Sequence, residues 1–143
     1  MSTFTRRRVQ NQHTEAWLIF ADHIQIGSIG MRSGVPTHVD QWQWIVSFYP
    51  PSHRGVRAGG TAHTFAEAST AFEHAWRGIE PQIREADRME HRRERAYTRW
   101  KYKMWESGCR MPTQMANCRS QCYCGAEIDS QSIGAHIAAE HMT

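Results

Sequence analysis

The sequence predicts an α+β fold: a small antiparallel sheet packed by helices, continued by a long basic helix and closed by a small cysteine- and histidine-bearing module. Three observations carry this. Apolar and polar residues alternate from Gln41 to Tyr49, apolar residues recur at helical spacing from Phe65 to Ile79, and all four cysteines crowd into the 16 residues from Cys109 to Cys124. With 143 residues the chain is long enough for one ordinary domain, or for a smaller one with an appendage.

Residues 1 to 14 read as a flexible basic arm, with Arg6, Arg7 and Arg8 followed by Asn11, Gln12 and His13. Order is expected from Ala16-Trp17-Leu18-Ile19-Phe20, a short strand. Ala21-Asp22-His23 then supplies a turn into Ile24 and Ile26, which makes a hairpin. Ser33-Gly34-Val35-Pro36 marks a loop. In the next strand Trp42, Trp44, Val46 and Phe48 share one face, and Pro50-Pro51 ends it. Residues 52–60 read as a mobile glycine-bearing loop that enters a short strand at Thr61-Ala62-His63.

Thr64-Phe65-Ala66-Glu67 has the pattern of a capping box. The helix it opens places Phe65, Ala68, Phe72, Ala75, Trp76 and Ile79 on one side, enough to cover a face of about three strands. Trp17, Trp42, Trp44 and Trp76 are expected in the core between them. Pro81 interrupts this helix, and a second is expected from Gln82 to Trp105, with Met89, Tyr97, Trp100, Met104 and Trp105 as its apolar positions. The resulting partition is an arm (1–14), an α+β domain (15–106), a linker (107–117) and a C-terminal module (118–143).

Charge is nearly balanced, with 17 Lys and Arg against 14 Asp and Glu, but it is clustered: eight bases fall between Arg84 and Lys103. The first 108 residues contain no cysteine, so the thiols are not a disulfide framework spread through the fold. They read as metal ligands in a reducing compartment, and a cytoplasmic protein is expected. No apolar run approaches the roughly 20 residues needed to cross a bilayer, and no membrane partner is expected.

The chemistry lies in residues 122–141. Cys122 and Cys124 flank Tyr123, and His136 and His141 follow with four residues between them. Two thiolates from a tight turn and two imidazoles from one helix are a tetrahedral zinc set. Positions five apart on a regular helix are about 140° out of phase, so the last turn must loosen for both rings to converge. This segment resembles the Cys2His2 zinc finger. Ile128 and Ile133 occupy that family's two hydrophobic places, and Asp129 or Ser130 stands where the helix is capped. The resemblance implies a ββα module that holds Zn2+. It departs from the family pattern in having one residue between the cysteines and 11, where 12 is usual, between Cys124 and His136. Cys118, with three residues between it and Cys122, is an alternative ligand.

The expected function is that of a non-enzymatic zinc-binding protein associated with nucleic acid, as a regulator would be. Contacts to DNA or RNA would come from Arg6, Arg7, Arg8, Arg92, Arg95, Arg99, Lys103 and Arg119, with Tyr97, Trp100 and Tyr102 as stacking groups. The base-reading positions of the finger (Asp129, Ser130, Gln131, Ser132 and Ala135) include no Arg or Lys. The acids interspersed along the long helix argue for internal pairing instead. The alternative is a protein-interaction module, an adaptor or inhibitor of a nucleoprotein assembly, presenting Tyr123, Ile137 and Met142 to a protein partner. A small-molecule substrate is not expected: His63, His74, Glu67 and Glu73 form no catalytic motif, and four protein ligands leave a zinc ion no open position.

Overall fold

The alternating segments form a meander of strands that each pair with the next in sequence. In the computed structural model, which describes residues 4–10 and 13–142, these are β1 (Phe4–Arg8), β2 (Ala16–Ala21), β3 (Ile24–Met31), β4 (Trp42–Val46) and β5 (Ala58–Ala62). They make one antiparallel sheet in the order β1-β2-β3-β4-β5. Two helices follow, α1 (Phe65–Ile79) and α2 (Glu85–Glu106), and then the hairpin β6 (Arg119–Gln121) and β7 (Glu127–Asp129) and the helix α3 (Ile133–Glu140). The α+β class is the one expected.

The chain divides into two compact units, Met1–Asp87 and Arg88–Thr143. The boundary lies inside α2, and the segment 107–117 falls within the second unit. Pro112 is buried, and Cys109 and Met111 pack on the core of the second unit.

In the first unit Ile19, Ile26, Ile29 and Val46 of the sheet meet Ala68, Phe72, Trp76 and Ile79 of α1. Trp17, Trp42 and Trp44 pack at the margin of this core, with the Trp42 and Phe65 rings edge-on at 5.4 Å. The β2–β3 turn is made by Asp22 and His23, both at positive φ (49° and 70°). That backbone matches the right-handed twist of the strands it joins, and aspartate tolerates it better than most residues.

One segment expected to be mobile contains a strand, and another ends in one. Residues 4–8 of the expected arm form β1, paired along its length with β2, and the Val9 N–H continues the ladder to the Ala16 carbonyl. Met1–Thr3, Asn11 and Gln12 lie outside the described residues. Arginine suits this strand because its flat cation lies on aromatic faces. Arg6 sits 4.9 Å from the Trp17 ring centroid and 5.0 Å from that of Phe65, and Arg7 sits 5.4 Å from that of Phe20. A charged outermost strand also discourages pairing with other chains. The glycine run at 59–60 belongs to β5, opposite Trp44 and Ile45. A Cβ on Gly60 would stand 3.0 Å from the Trp44 indole, so glycine is what lets that ring lie across the strand.

Thr64 caps α1 by accepting from the Glu67 N–H at 3.2 Å. The return bond goes one residue further than expected, to the N–H of His63 at 3.1 Å. At the start of α2 the buried Asp87 accepts two hydrogen bonds from the Arg54 guanidinium (2.7 and 2.6 Å) and one from the Arg84 N–H (2.9 Å). The Arg54 bonds in particular hold its carboxyl well below the usual carboxylate range.

Asp87 has a lower pKa folded than unfolded, so the stability it contributes is complete above about pH 4 and fades as pH falls through the folded value. Asp87→Asn is expected to flatten that acid limb of the denaturation midpoint, measured across the range of roughly pH 2–7. At Gly27 an added Cβ would collide with the Ile45 carbonyl and press on Phe72. Gly27→Ala is therefore expected to lower stability by about 1–3 kcal/mol in urea unfolding followed by circular dichroism.

Candidate metal centre

A tight turn between β6 and β7 carries both thiols. The Cys122 N–H donates to the Ala126 carbonyl (2.8 Å), and the Gly125 N–H donates to the Cys122 carbonyl (2.9 Å). Gly125 takes φ +96°, a conformation glycine adopts without a Cβ penalty. Asp129 then prepares α3, accepting from the N–H groups of Gln131 and Ser132 at 2.8 Å each. Those bonds lower the pKa of the Asp129 carboxyl. Asp129, not Ser130, therefore organises the helix entry.

The helix resolves the phase problem by stopping. It ends at Glu140, and His141 takes φ −130°, ψ 18°, while its N–H still reaches the Ile137 carbonyl at 2.8 Å. Leaving helical backbone there swings the second imidazole toward the first. The His136 and His141 Nε2 atoms are 3.1 Å apart, Cys122 Sγ is 3.4 Å from His141 Nε2, and Cys124 Sγ is 3.5 Å from His136 Nε2. All four ligand atoms lie within 4.8 Å of one another, a group that could hold a metal ion. Cys118 is exposed, has φ +56° and lies outside it.

Groups behind the ligands hold them in place. The buried Trp100 donates its indole N–H to Cys122 Sγ at 3.2 Å. The Tyr123 hydroxyl meets His141 Nδ1 at 2.9 Å, and Lys103 Nζ lies 5.4 Å from the Tyr123 ring centroid. Outer partners of this kind fix ring orientation and tune ligand basicity. Burial, followed by the charge of His136, pushes the His141 imidazole below its usual pKa and favours the neutral form that can ligate. Burial raises the Tyr123 phenol, and the neighbouring Cys122 and Cys124 add to the shift.

The apolar side of this module is completed by α2. Ile128, Ile133 and Ile137 are buried with Ala96, Trp100 and Met104, which recur every four residues along that helix. Three expectations change as a result. Trp100 is 1% exposed and cannot stack on a base. Ile137 is buried and cannot be presented to a partner, whereas Tyr123 and Met142 are only partly buried against the same core. Trp105, by contrast, is not in the core at all: it is 80% exposed.

The basic residues expected to contact nucleic acid fall in different places. Arg6, Arg7 and Arg8 are exposed along β1, and Arg119 is exposed on β6. Arg92, Arg95, Arg99 and Lys103 are exposed on α2 at intervals of three, four and four, which places them on one face. Arg88, which sequence reasoning passed over, extends this row by a turn. The acids Glu90 and Glu94 fall on another face, where Glu90 lies 3.8 Å from Arg93. Glu90 and Glu94 thus fall away from the row, while the exposed Glu106 shares its face at the C-terminal end. In the first unit the Glu67 carboxylate serves as a cap, and His63 Nδ1 lies 3.1 Å from Asp40 Oδ1 on an exposed edge. The roles of Trp100 and Tyr123 also went unread, although Trp100 shares a helical phase with Ala96 and Met104.

No protein-family model, no curated protein and no solved structure matches the chain. The class is therefore defined by the molecule itself: an α+β protein with a cluster of two cysteines and two histidines that could bind a metal.

Ligand assignment is testable by metal analysis of purified variants. Cys124→Ser and His136→Ala are each expected to lose the bound metal, whereas Cys118→Ser retains it at one equivalent per chain. Trp100→Phe keeps an aromatic ring in the core but removes the hydrogen bond to Cys122, and about a 10- to 100-fold loss of metal affinity is expected by competition with a chelator.

Proposed function

We propose that the chain is a zinc-binding, nucleic-acid-associated protein in which the metal centre braces a basic helix against phosphate. A donor set of two thiols and two imidazoles favours zinc. A tetrahedral Zn2+ with bonds of about 2.3 Å to sulfur and about 2.0–2.1 Å to nitrogen has S···N edges near 3.5 Å and an N···N edge near 3.4 Å. The distances of 3.4, 3.5 and 3.1 Å lie close to these. Four protein donors complete the coordination shell, so the role proposed for the ion is structural rather than catalytic.

The single observation that carries the nucleic-acid reading is the segregation of charge. Residues 88–143 hold nine Lys and Arg against six Asp and Glu, whereas residues 1–87 hold eight of each. The formal excess of the chain, +3, thus belongs to the unit with the metal cluster, and five of its bases stand in the row Arg88, Arg92, Arg95, Arg99 and Lys103. A rigid helix presenting regularly spaced cations suits a polyanion read by its backbone rather than by its sequence. The finger's Asp129 and Ser132 are occupied by each other, which removes two of its nominal base-reading groups.

Binding of the zinc-loaded chain to random duplex DNA tests this reading. Affinity near micromolar at low salt is expected, with a log–log salt slope of about −4.5 if all five bases reach phosphate. Replacing Arg95 and Arg99 by Gln together is expected to reduce that slope by about 2. Absence of binding at low salt would defeat the reading and turn attention to a protein partner.

A further inference from the structure

The two most exposed large aromatic side chains among the described residues lie together on α2: Tyr102 at 65% and Trp105 at 80%. Three positions apart, they share the solvent side of the helix, away from the Ala96–Trp100–Met104 row that faces the core. With Thr98 and Lys101 they line an open depression of about 480 Å³. Neither ring contributes to packing. Burying an aromatic ring of this size normally stabilises a fold by about 1.5–3 kcal/mol, so leaving two of them in water side by side calls for a ligand.

Charge decides which ligand. On the helical projection Tyr102 falls between Trp105 and the cationic row of Arg95, Arg99 and Lys103, and Lys101 borders the other side. A partner that fits must therefore offer flat π faces and a line of negative charge a few ångströms apart. A nucleic-acid duplex offers only the second, because its bases are stacked inside. A single strand offers both. Along the axis Tyr102 and Trp105 are separated by about 4.5 Å, somewhat more than the 3.4 Å step of a stacked strand, which suits two neighbouring bases of a slightly extended one.

We propose that the Tyr102–Trp105 face of α2 is a stacking platform for unpaired nucleobases, and that its ligand is single-stranded nucleic acid whose phosphates run along Arg95, Arg99 and Lys103. The inference rests on the basic-row reading above and adds the strandedness of the ligand. Base–aromatic stacking tolerates any sequence, which accords with a finger that presents no arginine to base edges.

The test uses the full zinc-loaded chain with labelled oligothymidylate and oligouridylate of about a dozen nucleotides, and a duplex of equal length. Tighter binding of a single strand than of duplex is expected, with quenching of tryptophan emission. Trp105→Ala is expected to weaken single-strand binding by about 5- to 150-fold and leave duplex affinity within about twofold, while Trp105→Phe keeps most of it. Its thermal melt and zinc content should match the parent, since the side chain touches no core. Single-strand affinity unchanged in Trp105→Ala, or duplex affinity falling equally, overturns the stacking platform while duplex binding through the arginines leaves the basic row standing. No binding of any probe at low salt defeats both. A concentration-dependent dimer that Trp105→Ala dissolves would also overturn the proposal, by assigning the face to a second copy of this chain.

Discussion

The C-terminal unit depends on the convergence of two thiols and two imidazoles beside an apolar stripe of α2. The hairpin β6–β7 and helix α3 contribute three buried isoleucines, too few to offset the conformational entropy of ordering so short a segment. Ala96, Trp100 and Met104 supply the missing apolar face. The Cys/His cluster draws the turn and the end of α3 together on the other side. Trp100 joins the two, because one side chain fills the core and donates to a candidate ligand sulfur.

This arrangement has a consequence for α2. A helix whose mean composition is so charged would be marginal by itself in water, since solvent-facing ion pairs contribute only tenths of a kilocalorie each. Packing of one stripe holds the helix, which frees its remaining faces for other tasks. Arg92, Arg95, Arg99 and Lys103 collect on one of them and Glu90 and Glu94 on another. A rigid rod of cations and two exposed rings follow from the way the core stripe divides the helix surface.

The first unit solves a different problem with different means. Its core is a conventional layer of α1 on the sheet, held by aliphatic and aromatic side chains. Its polar interactions sit at the edges: Arg6 and Arg7 on aromatic faces in β1, Thr64 and Glu67 at the start of α1, and Arg54 with Asp87 where α2 begins. With its charges balanced, this unit offers no counterpart to the cationic row.

Local chemistry was enough to reveal the β2–β3 hairpin, the tryptophan strand, α1 with its threonine cap, α2, and the four candidate ligands, because period, capping and ligand spacing are written within a few residues of one another. Strand β1 escaped notice because Arg6, Arg7 and Arg8 look solvent-bound until Trp17, Phe65 and Phe20 are beside them, and β5 was expected to start only at Thr61 because glycines mark a loop unless an indole lies across them. Cys118 stayed open as a ligand for a similar reason: spacing along the chain does not say which thiol faces the imidazoles. The domain boundary, the burial of Trp100 and the exposure of Trp105 were decided by tertiary structure alone. Residues equally apolar in the sequence differ only in which side of α2 they occupy, and that side acquires meaning when α3 and the β6–β7 hairpin pack against it.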